Sequence, residues 1–514
     1  MKFLEPAAAA ALIASGATVA FSGGGYRGVA ESMLKAIAAR YEAERAPSNL
    51  RVIAVSMLER TRGGIGGEGT GLNRLAVQGL VSTLVSSSFS RAPDREVNRM
   101  INDGHMAAYN YPMGTILQLL RSIGAGRRGL LTEVGIGTYV DPRIEGGLVN
   151  KAAREPMNRV VNVEGAEMLF YPRFDVDVGI VKASAADERG NLYFNRQVYD
   201  HGAIDVAMAA RASGGVVIAE VDRIIKRGEL PARMVRIPGG IVSAVVITDE
   251  APWEDEQAPV LLGDPPVDLP PPGIVLRPRD VIASLAVSEL PEGAMVNVGA
   301  GIPMYDVPEA ARRMGRDDLY FTVEQGPMGG WPQVGGVSRN PEGVMGQLEV
   351  FDMYEGGCPD FSILSFGELD AQGNVNVSRF GPMMPGSGGF INIVHGVRNL
   401  MFCGTLTTSG LDLQLGNGQL RIAKEGRIRR FVDRVEQITF NAPRALAQGH
   451  TVTVVTERAL FSVTQEGYRI RAIAPGVDLD RDIRAHVPFP ILASDNLPRL
   501  PASFYTTVAE GAVA

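Results

Sequence analysis

Short apolar runs closed by glycine recur along this chain, with longer stretches of helical spacing between them, so strand and helix alternate. Residues 7–14 carry a helical pattern and end at Ser15-Gly16. An apolar strand follows at 18–21, then the glycine turn 22–25, then a helix over 28–44. The same order returns later: a helix at 281–290, Glu292-Gly293, a strand at 294–298, the turn Gly299-Ala300-Gly301, and a helix around 307–314. A second echo lies in Asp187-Glu188-Arg189-Gly190-Asn191 and Asp370-Ala371-Gln372-Gly373-Asn374. Each precedes an alternating strand, and Gly and Asn tolerate the positive φ that a hairpin needs. Two such pairs in the same order predict a duplicated α/β domain.

The apolar runs at 216–221 and 390–394 read as further strands, and helices between them predict mainly parallel sheets covered on both faces. The alternation from 451 to 473 predicts a small antiparallel meander near the C-terminus. Consecutive prolines at 265–266 and 270–272 can neither continue a helix nor donate to a sheet, which marks 251–278 as a linker. The expected division is therefore an N-terminal domain over 1–250 and a C-terminal domain over 279–514, two tandem and similar α/β(α) sandwiches.

Composition narrows the function. At 514 residues with 45% hydrophobic side chains, the chain is too long for one core, and its 61 glycines fit many tight strand-to-helix turns. A net charge of −7 without a basic stripe argues against nucleic acid as a partner. Cys358 and Cys403 have no metal-ligand spacing and read as buried packing residues, and the five histidines are isolated, so no metal site is expected. The apolar run at 7–13 reads as a domain's first helix, not a leader, and no run is long enough to span a bilayer; a soluble, cytoplasmic protein without a membrane partner is expected.

The candidate chemistry centres on residues 319–332. A buried strand at 319–323 runs straight into Glu324, followed by the glycine and proline turn Gln325-Gly326-Pro327-Met328-Gly329-Gly330. Strand ends at the edge of an α/β sheet are where ligands meet the chain, and glycines allow close approach to the backbone. On the residues alone, Glu324 is either a solvated residue opening a loop or a reactive carboxylate. Carrying the repeat to this point sets Val323-Glu324-Gln325-Gly326 opposite Val134-Gly135-Ile136-Gly137, so only the second half has the acid. Gly23, Gly24, Gly25 and Gly28 match the dinucleotide pattern G-x-G-x-x-G, but the next strand ends in Ser56-Met57 without an acid for a ribose. A turn that lets backbone approach a ligand is the better reading there. Gly386-Ser387-Gly388-Gly389 is either a simple loop or a nest of N–H groups for a developing oxyanion.

Taken together, these motifs resemble family I coenzyme A transferases, in the acetate/propionate branch that fuses both halves in one chain. The resemblance covers nearly the full length. It rests on 323–330 as the glutamate motif, 386–393 as the glycine loop, 373–379, Asn297-Val298-Gly299-Ala300-Gly301-Ile302-Pro303, and 135–142. It implies a covalent glutamyl intermediate on Glu324, CoA entering as an acyl-CoA substrate with no tightly bound cofactor, a carboxylic acid as co-substrate, and a homo-oligomer, dimer or tetramer. The implied oxyanion donors are the N–H groups of Gly388 and Gly389. Gly23, Gly24, Gly25, Gly326, Gly329, Gly299 and Gly301 are the implied substrate or CoA contacts. A carboxylate nucleophile suits the reaction, because acyl-glutamyl anhydride and glutamyl-CoA thioester both retain the bond energy.

One departure stands out. Family members carry a Pro-Gln-Gly run whose glutamine helps hold the oxyanion, and here the matching stretch is Pro112-Met113-Gly114. Met113 cannot donate a hydrogen bond, so either another group such as Asn110 substitutes, or the pocket accepts an unusual, more apolar acyl group than acetate, or transfer is weakened. Rival readings are an acyl-CoA thioesterase on the same fold, a non-catalytic metabolite sensor, and a nicotinamide-binding oxidoreductase.

Overall fold

The computed structural model describes residues 2–24, 27–59, 69–197, 200–248, 250, 265–269, 277–333 and 335–506. Most of the proline-rich segment expected as a linker lies outside these, as does Gly25. The chain divides into two compact units. The first comprises Met1–Pro265 together with Val344–Asp352 and Ser378–Asn392; the second comprises Pro266–Gly343, Met353–Val377 and Ile393–Ala514.

In the first unit the strands lie in the order Lys2–Phe3, Ala244–Ile247, Val216–Ile225, Val178–Asp187, Thr18–Phe21, Leu50–Ala54, Val81–Ser86 and Ala107–Asn110, every neighbour parallel. Alternation decides which side each residue serves. Val19, Phe21, Val52 and Ala54 pack into one core with the helices Pro6–Ala10, Glu31–Glu44 and Glu96–Asn102. Ala20, Ile53 and Val55 face the other way, into a core shared with the helices Met113–Gly124 and Ala203–Ala212. Both faces are thus covered, which is why these strands are rich in Val, Ile and Ala. Each fully buried aliphatic side chain contributes roughly 1.5–3 kcal/mol of transfer free energy.

The second unit repeats the order. Tyr320–Thr322, Met295–Val298, Phe361–Ser365, Asn399–Cys403 and Thr451–Val455 are successive parallel neighbours. The expected meander is present as Thr451–Val455, Ala459–Thr464 and Gly467–Ile473, antiparallel, and it extends this same sheet. Both Asp-x-x-Gly-Asn hairpins form. In one, Asp187 Oδ1 accepts the N–H groups of Arg189 and Asn191 at 2.9 and 3.0 Å, and Oδ2 accepts Asn191 Nδ2. In the other, Asp370 Oδ1 accepts those of Gln372 and Asn374, both at 3.0 Å, and Oδ2 accepts Asn374 Nδ2.

Four expectations are corrected. Residues 390–394 are not a strand: Phe390–Gly396 is a helix, and a short apolar run has no periodicity to tell the two apart. The helix expected around 307 begins at Ile302, with Pro303 in its first turn and Pro308 inside it. Cys358 is exposed, just beyond the helix Gln347–Glu355, while Cys403 is buried in its strand. The internal alignment also shifts. Phe21 pairs with Ile180 and Ala54, and Val298 pairs with Ile363, while Asn297 pairs with Thr322. Counting along these registers, the counterpart of Glu324 is Val55, not a residue of 134–137.

Candidate active site

In the second unit, Tyr320–Thr322 ends at Val323, and the chain turns at once. Gly326 N–H donates to Val323 O at 3.1 Å, and Gly329 N–H returns to Phe321 O at 2.8 Å. Gly326, Gly329 and Gly330 all have positive φ, so a turn this tight needs residues without a Cβ. Glu324 sits at its start, at the carboxyl end of a parallel strand. The residue keeps some exposed surface, yet its carboxyl is enclosed closely enough that burial pushes its pKa up to about 7, against a smaller opposing pull from Gln325, whose Nε2 donates to Oε1 at 3.1 Å. Beneath it, Tyr354 donates to Thr322 Oγ1 at 2.8 Å, fixing the strand end. A carboxyl raised in this way exchanges its proton near neutral pH, and its ionised form is chemically able to serve as a base or a nucleophile.

Gly299 and Gly301 close the neighbouring strand end. A Cβ on Gly299 would meet Leu364 Cδ2 at 2.5 Å, and one on Gly301 would meet Ser365 Oγ at 2.5 Å, so a side chain at either would have to push its neighbour aside. Gly301 and Gly329 also have positive φ, which favours glycine whatever the space.

The glycine loop belongs to the first unit, at the carboxyl edge of Val81–Ser86 and Ala107–Asn110. It is tied down at Gly386, Ser387 and Gly388. Gly386 N–H donates to Ser378 O at 3.1 Å, Ser387 N–H to Asn110 Oδ1 at 3.1 Å, and Gly388 N–H to Ser87 O at 2.8 Å, while Gly388 O accepts Met113 N–H at 2.9 Å. Gly386 has φ +77°, and a Cβ there would strike Ser87 O at 2.6 Å and Asn110 Nδ2 at 2.7 Å. Open space lies over the Cα of Gly388.

This geometry reassigns two of the donors named from sequence. The Gly388 N–H is engaged with Ser87, and Asn110 is buried as a brace, with Nδ2 donating to Ser86 O at 2.8 Å and Oδ1 accepting from Ser387 and Tyr139. The Gly389 N–H has no acceptor among the described residues. Met113 is buried, with its Sδ 3.1 Å from Gln347 Nε2. Gly23 and Gly24 form a separate turn, packed on Leu58 and His201 respectively.

Sequence reasoning missed Tyr139, Ser387 and Asn392 as individual residues. Tyr139 bridges Asn110 and Ser387, and Asn392 Oδ1 accepts the Gly114 N–H at 3.0 Å. All three lie inside motifs read as blocks, which was the available signal. Among the described residues, no group of three or more His, Cys, Asp or Glu is placed to hold a metal ion, and no helix is long and apolar enough to cross a membrane.

Residues 3–248 match the family model described as Coenzyme A transferase. The chain is 33% identical over 498 residues to the acetate CoA-transferase YdiF of Escherichia coli K12, covering 94% of this chain and 91% of that protein. It is 34% identical over 525 residues to a caffeate CoA-transferase of Acetobacterium woodii, covering 99% and 98%. Solved structures of the YdiF acyl-CoA transferase from E. coli O157:H7, as apoenzyme and as a thioester complex with CoA, superpose with a TM-score of 0.90 at 32% identity, covering 100% of this chain and 97% of theirs. The chain therefore belongs to the coenzyme A transferases, family I, with both halves fused in one polypeptide. It is a CoA-transferase, an enzyme that uses CoA thioesters as substrate.

Proposed function

We propose that this enzyme moves CoA from an acyl-CoA to a second carboxylic acid by a ping-pong route through a glutamyl-CoA thioester on Glu324. The observation that carries the reading is the carboxyl of Glu324 at a strand end, with its pKa pushed up to about 7 and the Gln325 amide beside it. The solved thioester complex of YdiF with CoA supports it.

In the proposed sequence, the ionised Glu324 attacks the acyl-CoA carbonyl. The C–S bond breaks, CoA leaves as thiolate, and an acyl-glutamyl anhydride remains. The thiolate then attacks the glutamyl carbonyl and expels the first carboxylate, which leaves CoA on Glu324 as a thioester. An incoming carboxylate reverses both steps and departs as the new acyl-CoA. No bond is lost to water provided water is excluded from the intermediates. Each attack develops an oxyanion, and we assign the Gly389 N–H to it; one such donor is typically worth ~3 kcal/mol.

Gly23, Gly24, Gly299, Gly301, Gly326 and Gly329 are proposed to let CoA approach the backbone, and the acid is proposed to be short-chain or related, with Met113 favouring a group bulkier than acetate. Similar rates for acetate and bulkier acids would contradict that preference. A homo-oligomer is proposed as the working form, to be read by light scattering. The reaction itself is tested by measuring CoA release with and without a carboxylate acceptor. Transfer predicts acyl-CoA formation on the acceptor, whereas release of free CoA at the same rate without an acceptor would make the protein a thioesterase.

A further inference from the structure

We infer that Tyr139 is a positioning residue for the reaction: its hydroxyl clamps the glycine loop to the sheet edge and so fixes where the Gly389 N–H points. The inference rests on the oxyanion role proposed for that loop. Tyr139 is 1% exposed, and its hydroxyl donates to Asn110 Oδ1 and lies 3.0 Å from Ser387 Oγ. These partners are 29 and 248 residues away in the chain, so one hydroxyl joins the end of the strand Ala107–Asn110 to the loop 386–389.

The backbone of Tyr139 reaches the same place. Its carbonyl accepts the Gly147 N–H at 3.0 Å, and the Gly147 carbonyl accepts the Asn110 N–H at 2.8 Å. Asn110 is thus held from both its main chain and its side chain by elements that converge on Tyr139. Ser387, in turn, gives its N–H to Asn110 and its carbonyl to the Phe390 N–H, at 3.1 and 3.0 Å. The peptide that starts at the Ser387 carbonyl carries the Gly388 N–H, which donates to Ser87 O at 2.8 Å, and the next peptide carries the Gly389 N–H, with its carbonyl, Gly388 O, accepting the Met113 N–H at 2.9 Å. Ser387 is thus the anchored residue from which the Gly389 peptide follows, and releasing it frees the approach to that amide. Burial holds the phenol well above its ordinary pKa, so the hydroxyl keeps its proton as a fixed donor.

Preorganised donors stabilise an oxyanion only while they stay aimed, and a shift of an ångström costs up to about a hundredfold in rate. Tyr139→Phe removes the clamp and keeps the ring. The expected result is a fall in kcat of about tenfold or more with every acceptor acid, while the KM for acyl-CoA changes less than about twofold. Ser387→Ala should lower kcat less, and the double variant should be no slower than Tyr139→Phe by more than about twofold, because both act through one clamp.

A Tyr139→Phe enzyme with kcat within twofold of the parent would overturn the inference. So would effects of the two substitutions that multiply, or a loss of activity that follows only the thermal midpoint. Mass spectrometry of the parent after incubation with acyl-CoA keeps the two claims apart: an unmodified Glu324 peptide counts against the glutamyl intermediate, whereas the kcat comparison reads the clamp in either case.

Discussion

Glu324 and Val55 occupy corresponding positions at the carboxyl ends of corresponding strands, an acid in the second unit and a fully buried aliphatic in the first. The duplicated fold therefore offers the same place twice and puts an acid there once. Val55 packs in the core beside Ile53, Leu117 and Val181. Val55→Glu is expected to destabilise the protein by about 3 kcal/mol or more, because the acid would have no partner in that core. Urea unfolding measures the change; a loss under about 1 kcal/mol would show that the first unit tolerates an acid there.

The raised pKa of Glu324 sets two pH profiles. The attack proposed for Glu324 needs the ionised form, so kcat/KM is expected to rise with pH through about 7 and then level. Stability runs the other way. Between the ordinary carboxyl value of 4.5 and about 7, the folded chain holds a proton that the unfolded chain has lost, so the contribution of this group falls as pH rises through that window. Glu324→Gln should therefore gain thermal stability relative to the parent from pH 5 to pH 7, with the gap constant above. Parallel melting curves across that range check the sign.

Asp370 is buried, and its carboxylate receives two backbone N–H groups and the Asn374 amide. Asp370→Ala leaves those donors without acceptors in the hairpin and should cost about 3 kcal/mol or more, with Asp370→Asn costing less. Chemical denaturation of both variants distinguishes this from a generic surface effect, for which the two would match.

Met113 offers only a sulfur to the buried Gln347, whose Oε1 has no donor among the described residues. Met113→Gln would supply both a donor and an acceptor. It is expected to hold or raise the thermal midpoint, by roughly 2–4 °C for about 1 kcal/mol, whereas Met113→Ala should lose about 2–5 kcal/mol to the cavity. The same variant, assayed with acetate and bulkier acids, reads whether residue 113 sets the acid preference: unchanged ratios would remove it from that role.

Features that depend on neighbours in the chain were legible in the sequence. The two Asp-x-x-Gly-Asn hairpins close on their own side chains, and the alternation of Val19, Phe21, Val52 and Ala54 follows from period two. Glu324 stood out because a charge directly after a buried strand lacks a packing reason. What was not legible depends on distant partners. Nothing near Tyr139 announces Ser387, 248 residues on, and nothing in 344–352 or 378–392 marks them as part of the first unit. The helix Phe390–Gly396 read as a strand because Asn392, its buried polar residue, is satisfied by Gly114, far away in sequence.

The most direct test of the account is peptide mass spectrometry after incubating the enzyme with an acyl-CoA and no acceptor. A CoA-sized adduct on the peptide containing Glu324, absent in Glu324→Ala and discharged by adding a carboxylic acid, is the predicted result. An unmodified Glu324 peptide, or Glu324→Ala turning over at the parent's rate, would contradict it.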